Sequence, residues 1–257
     1  MSLNDFGTPL SRSDFVRPIA HRGLHDHRQG VIENTTAAFE AAIAGGYGIE
    51  CDVRSAAGGL PIVFHDATTN RLTTREGPTN TLTTADLRTL KHRNSDASIL
   101  TLRAALDCIA SRTPVLIELK SDWRSPDPQY IAQLCCCLSD YDGPAAIMSF
   151  DPDLLSEIRT IAPLVPRGLV ATPYQPNAAL PKGLSPQRAV SLAKFENLAT
   201  VAPSFVAYNV DGLPTPTTQA IRASGYPVFA WTVRSKRQQQ IAATFADAPI
   251  FENVKND

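Results

Sequence analysis

Apolar runs of strand length alternate with amphipathic segments of helix length, and this pattern predicts an α/β fold, a (β/α)8 TIM barrel. Three observations carry the prediction. The alternation continues along nearly all of the 257 residues. Polar residues gather where the apolar runs stop, as they do at the C-terminal ends of barrel strands. No Gly-x-Gly-x-x-Gly follows the first run, which disfavours the alternative, an open doubly wound sheet. One domain over 1–257 is expected, with no internal repeats or low-complexity tracts.

The first strand is short, 17–20, and stops at His21, Arg22 and Gly23. Glu33, Asn34 and Thr35 then form an N-cap setting for a helix over 36–44, which Gly45 and Gly46 end. The second strand is 47–53. After it, Gly58 and Gly59 signal a two-residue hairpin turn, because glycine reaches the positive φ such turns need. That turn pairs Ala57 with Leu60 and, counting outwards, Asp52 with His65. The returning arm is antiparallel and stands outside the parallel count. A polar stretch, 67–83, reads as an excursion at the rim, within a small insertion at about 66–113. Within it a short helix starts at Thr84, and another spans 101–111 with Leu102, Ala105, Leu106 and Ile109 on one face.

The third barrel strand, 114–119, ends near Glu118 and Lys120. A helix over 128–138, a strand at 145–150 and a helix capped by Asp151 and Pro152 follow. The next strand is 166–171. A proline-rich loop over 172–186 is a candidate lid or a plain connection. A helix at 187–198, a strand at 205–210, a helix at 215–223, a strand at 227–233 and a helix at 235–245 complete the pattern. The last strand, 249–252, is weak, yet a closed barrel requires it. Strand ends thus fall at His21, Glu50, Glu118, Ser149, Ala171, Tyr208, Trp231 and Glu252.

Composition narrows the function by exclusion. With 24 basic and 25 acidic side chains and a net charge of -1, nothing draws the chain as a whole to nucleic acid or an anionic membrane. Any anion site must be local. Residues 1–17 hold no apolar run long enough for a signal peptide or a spanning helix, so stable membrane insertion is not expected. The five cysteines lack Cys-x-x-Cys spacing, and Cys135, Cys136 and Cys137 on a helix read as small apolar fillers rather than redox or metal groups. A reducing cytoplasm is the expected compartment.

The candidate site collects unusual residues. Glu50 and Asp52 are two apart, so on a strand both carboxylates leave one face, and the same holds for Glu118 and Lys120. Singly, each has a structural reading: a solvated strand end, a turn histidine before glycine, a packed tryptophan. Together they would be costly to bury unless paired with each other or with an ion. Glu50, Asp52 and Glu118 make an oxygen-rich set suited to Mg²⁺ or Ca²⁺. Arg22 and Lys120 add positive charge suited to a phosphoryl group. His21 and His65 supply an acid/base pair for displacement at phosphorus. Phosphodiester chemistry fits this set better than sugar isomerisation.

His21-Arg22-Gly23, Glu33-Asn34-Thr35, Glu50-x-Asp52-Val53, His65-Asp66 with Arg71-Leu72-Thr73, Glu118-x-Lys120, Ser149-Phe150 and Trp231-Thr232-Val233 occur in the order of the glycerophosphodiester phosphodiesterase family, and the chain resembles it over 21–233. The resemblance implies a (β/α)8 barrel that hydrolyses glycerophosphodiesters to sn-glycerol 3-phosphate and an alcohol. It implies His21 and His65 as acid/base, Glu50, Asp52 and Glu118 as divalent-metal ligands, Arg22 and Lys120 as phosphate holders, and Trp231 on the glycerol side. It also implies attack by the neighbouring glycerol hydroxyl through a cyclic phosphate, and it matches the stretch at about 66–113 to the small insertion that the family carries after the hairpin. Two positions depart from the family pattern: Arg234 where Asn is frequent, and Phe251-Glu252-Asn253 in place of Thr-Asp-x-Pro. Two other readings remain: a lysophospholipase D-like phosphodiesterase, and a non-catalytic barrel that binds phosphodiesters.

Overall fold

The computed structural model describes residues 5–174 and 180–253. Its strands are β1 Ile19–Ala20, β2 Gly48–Ser55, β3 Pro61–Val63, β4 Val115–Leu119, β5 Ala145–Ser149, β6 Arg167–Ala171, β7 Phe205–Asn209, β8 Val228–Val233 and β9 Ala248–Phe251. They are ordered β1-β9-β8-β7-β6-β5-β4-β2-β3, and β1 pairs also with β2. Setting aside the arm β3, which is antiparallel to β2, the strands close into the (β/α)8 barrel. The weak last run does form β9, which pairs in parallel with β8. No described helix is long and apolar enough to cross a membrane.

The chain packs as two compact units. One comprises Ile19–Lys120 and Pro126–Ala145 and holds β1 to β4. Here β4 lies beside β2 in parallel, with Ile49 opposite Val115 and Asp52 opposite Glu118. The helix Thr36–Ala44 buries Ala38, Phe39 and Ala42, and the helix Leu102–Ile109 buries Leu102, Ala105, Leu106 and Ile109, the apolar face read from the sequence. The stretch expected as a polar rim is more than that. Ile62, Phe64, Leu72, Leu82, Leu87 and Leu90 belong to a small core of their own. Its threonines are polar without being exposed, since Thr73 and Thr79 turn their hydroxyls onto the carbonyls of Thr69 and Ala67.

The other unit comprises Met1–Pro18, Ser121–Ser125 and Ala146–Asp257 and holds most of β5 and all of β6 to β9. Phe205 and Phe229 meet edge to face with centroids 5.5 Å apart in its core. Asp151 caps the helix Pro152–Ile161 by accepting from the Asp153 amide. In the proline-rich loop, 175–179 lie outside the described residues, and the flanking Tyr174 and Leu180 pack on Leu184, Ala189 and Leu192.

Two expectations need correction. The hairpin register is one residue away from the one read off the glycines: Val53 faces Val63 and Ser55 faces Pro61, so Asp52 stands opposite Phe64 and not His65. The Ala57 amide is taken by the Leu82 carbonyl, so the closing bond runs instead from the Ala56 amide to the Leu60 carbonyl. A loop of three residues, Ala57–Gly59, results, with Gly58 and Gly59 at φ 68° and 74°. The cysteine triplet is the second. The helix Pro128–Ser139 buries Tyr130, Ile131, Leu134 and Leu138, which leaves Cys136 exposed and Cys135 and Cys137 half-buried. They are not core fillers, because the core stripe takes other positions of the helix.

The two glycines are not equivalent. A Cβ on Gly59 would lie 2.6 Å from the Tyr130 amide nitrogen, whereas one on Gly58 meets nothing within 4 Å. Gly59→Ala is therefore expected to cost about 3 kcal/mol and Gly58→Ala about 1 kcal/mol, the left-handed backbone alone. Urea denaturation checks the order; equal losses would contradict the packing.

Candidate active site

Strand alternation on β2 turns Glu50 and Asp52 to one face, where both are fully buried. Register then sets Glu118 of β4 beside Asp52. The three carboxylates offer ligand atoms that all lie within 4.8 Å of one another. Lys120, just past β4, reaches back with Nζ 2.8 Å from Asp52 Oδ1 and 2.5 Å from Glu118 Oε1.

The turn after β1 delivers Arg22 in a left-handed conformation, φ 59°. Its amide donates to Glu50 Oε2 at 2.9 Å, its Nε lies 3.1 Å from Asp52 Oδ2, and its Nη1 donates to Glu33 Oε1 at 2.7 Å. His21 Nε2 lies 3.9 Å from Glu50 Oε2. Asn34, also left-handed at φ 58°, grips Asp52 twice: its Nδ2 donates to Oδ2 at 2.9 Å and its Oδ1 accepts from the Asp52 amide at 3.2 Å.

Charge in this cluster is unevenly matched. Burial alone would raise Asp52, but Lys120 and Arg22 outweigh it and hold the group ionised, well below the usual range. For Glu50 burial dominates, reinforced by the charges of Asp52 and Glu118, and pushes its carboxyl well above that range. Glu50 Oε1 is buried with no hydrogen-bond partner among the described residues. An orphaned carboxylate oxygen beside two further carboxylates is a donor set that fits a hard divalent cation.

His65 arrives by a route other than the ladder. It follows β3, its carbonyl accepts from Arg54 Nε at 2.7 Å, and its Nδ1 lies 2.7 Å from Asp66 Oδ1. Asp66 is held below the ordinary carboxylate range because bonds from Arg71 and His65 outweigh its partial burial, so it accepts and Nδ1 carries the proton. Burial lowers His65 itself, with the charges of Lys120 and Arg22 acting in the same direction against Asp52. The imidazole is therefore neutral near pH 7, with Nε2 unprotonated.

Residues 21–253 match the glycerophosphoryl diester phosphodiesterase family. The chain belongs to this family. It is 30% identical over 175 residues to a "Probable glycerophosphodiester phosphodiesterase 1" of Mycobacterium tuberculosis; the match covers 59% of this chain and 63%, under two thirds, of the relative's length. A glycerophosphodiester phosphodiesterase of Caldanaerobacter subterraneus is 28% identical over 86% of this chain and 87% of its own. Among solved structures, an Oleispira antarctica phosphodiesterase in complex with the product sn-glycerol-3-phosphate superimposes with a TM-score of 0.74 at 22% identity, over 91% of this chain and 92% of that one. The last likeness concerns the fold.

Within this family member, His21, Arg22, Glu50, Asp52, His65, Glu118 and Lys120 all fall in one compact unit. Trp231 lies in the other, on β8, where its ring meets Phe150 edge-on at 5.3 Å. Arg22 and Lys120 spend their charge on carboxylates in this structure. Sequence reasoning passed over Glu33, Asn34 and Arg71 as site residues. Arg71 binds Glu33 with both Nη atoms at 2.8 Å and Asp66 with Nε at 2.6 Å. The available signal was position: all three stand in the stretches that carried the resemblance.

Glu33 is a buried hub, and although burial would raise it, the bonds from Arg71 and the charge of Arg22 bring it from the ordinary 4.5 to about 2. A carboxylate depressed on folding adds stability that is complete above its unfolded value and lost as pH falls towards the folded one. Glu33 should thus contribute about 3 kcal/mol at neutral pH, fading between about pH 4.5 and pH 2. Urea midpoints of wild type and Glu33→Gln should differ about half as much in free energy at pH 3 as at pH 6; a gap independent of pH would contradict the ion-pair account.

Proposed function

We propose that this chain is a metal-dependent phosphodiesterase that hydrolyses glycerophosphodiesters to sn-glycerol 3-phosphate and an alcohol. The observation that carries the reading is the buried Glu50, Asp52 and Glu118 set with an unpartnered Glu50 oxygen, next to cations and histidines that a phosphoryl group requires. Family membership supports the reaction class, and the product-bound Oleispira antarctica neighbour supports the glycerol phosphate moiety.

Glu50, Asp52 and Glu118 would hold Mg²⁺ or Ca²⁺. When bound, such an ion supplies Lewis-acid polarisation of the phosphoryl oxygens. The chain's own residues do the rest. Arg22 and Lys120 hold positive charge at the carboxylates and offer it to the phosphoryl oxygens as negative charge builds there. The neutral His65, its Nδ1 proton tied to Asp66, has Nε2 open to take or return a proton, and His21 is its partner. With one histidine as base and the other as acid, the neighbouring glycerol hydroxyl attacks phosphorus and expels the alcohol; water then opens the cyclic phosphate with the roles exchanged. Trp231 is assigned to the glycerol side, its ring braced by Phe150. Residues 1–257 act as one catalytic domain, a reading supported by the family match over 21–253. The five free cysteines suit a reducing cytoplasm.

Purified protein should release glycerol 3-phosphate from water-soluble glycerophosphodiesters in Mg²⁺ or Ca²⁺ and stop on chelation. His65→Ala should lower kcat by about a thousandfold while the fold survives. Absence of turnover with every diester and metal would refute the activity, and turnover confined to micellar lysolipid would transfer it to lysophospholipase D-like chemistry.

A further inference from the structure

Arg71 belongs to the excursion after the hairpin and has no place in the metal cluster. Its side chain is 44% exposed, and an exposed arginine in an ion pair ordinarily contributes little. The geometry here is different. All three guanidinium nitrogens are engaged: Nη1 and Nη2 on the two oxygens of Glu33 at 2.8 Å, and Nε on Asp66 Oδ2 at 2.6 Å. Glu33 is the fixed end, with its side chain only 4% exposed and Oε1 shared with Arg22 Nη1 at 2.7 Å. Asp66 is the more exposed end, and its other oxygen meets His65 Nδ1 at 2.7 Å.

We infer that Arg71 is a positioning residue for His65, acting through Asp66 and anchored on Glu33. The inference rests on the acid/base role proposed for His65. An aspartate beside a histidine fixes the proton on Nδ1 only while its own oxygen stays in place. Asp66 adjoins His65 in sequence and lies in a surface stretch, so it has rotamers that turn away. The fork of Arg71 removes that freedom, because a planar guanidinium on two carboxylates fixes their separation and orientation. Lysine, a point charge with no fork, should not replace it.

The test measures His65 directly and the reaction separately. In ¹⁵N-histidine-labelled full-length protein, the His65 resonances are assigned among the five histidines by difference with His65→Ala. Wild type should show the Nδ1-protonated tautomer, and Arg71→Gln and Arg71→Lys should show a mixture of tautomers. Asp66→Asn should show the mixture or the opposite tautomer. With metal present, both Arg71 variants should lose about 10- to 100-fold in kcat with KM changed less than about threefold and metal affinity unchanged, the mark of a proton-transfer group out of place.

Retention of the Nδ1-protonated tautomer in both Arg71 variants overturns the inference, whether or not activity falls. So does a kcat within about twofold of wild type, or a loss confined to KM. Should Arg71→Gln fail to fold, Arg71→Lys, which keeps the charge, decides the same question. If wild type itself turns over no diester, the proposed activity fails, and the tautomer measurement still decides whether Arg71 positions His65.

Discussion

A buried carboxylate oxygen with no hydrogen-bond partner among the described residues is the constraint on which the site depends. Asp52 is balanced on both oxygens, by Lys120 on one and by Arg22 and Asn34 on the other. Glu50 receives the Arg22 amide on one oxygen, with His21 Nε2 3.9 Å from it, and the other oxygen has no hydrogen-bond partner among the described residues. Burying ionised carboxyls costs several kcal/mol each unless they are paired. The fold nonetheless brings three together on neighbouring strands, which is reasonable where an added cation completes them. The surplus falls on Glu50, whose carboxyl is driven towards its protonated form by burial and by the charges of Asp52 and Glu118.

Around this cluster the chain distributes its cations so that each is shared. Arg22 spans Asp52 and Glu33, Arg71 spans Glu33 and Asp66, and Asp66 meets His65. A continuous series of ion pairs thus runs from Asp52 to His65 by way of one buried glutamate, Glu33. Such networks are specified by geometry, since each bidentate contact restricts its neighbours. The excursion after the hairpin has its own small core, which keeps Arg71 and Asp66 on a defined backbone.

Much of this was legible in the sequence because it is local. A spacing of two residues on a strand fixes a shared face, which placed Glu50 with Asp52, and Glu118 with Lys120, before any packing was known. The start of the helix Pro152–Ile161 followed from its cap Asp151, whose side chain accepts from the amide two residues on. The hairpin register was misread because the deciding contact is distant: the Leu82 carbonyl claims the Ala57 amide. Glu33, Asn34 and Arg71 escaped for the same reason. Asn34 and Arg22 owe their roles to left-handed backbone in tight turns, and Arg71 meets Glu33 across 38 positions of chain. Arg22 and Lys120 were read as phosphate holders from their charge and from the family resemblance; their ion pairs with Asp52 came from the packing.

The central claim is that Glu50, with Asp52 and Glu118, awaits a divalent cation. Calorimetric titration of wild type and Glu50→Gln with Mg²⁺ and Ca²⁺ at several pH values tests it without reference to turnover. The account predicts one ion per chain, an affinity that rises with pH as the raised Glu50 carboxyl ionises, and an affinity at least about tenfold weaker in Glu50→Gln. No saturable binding by wild type, or equal affinity in the two proteins, would contradict it.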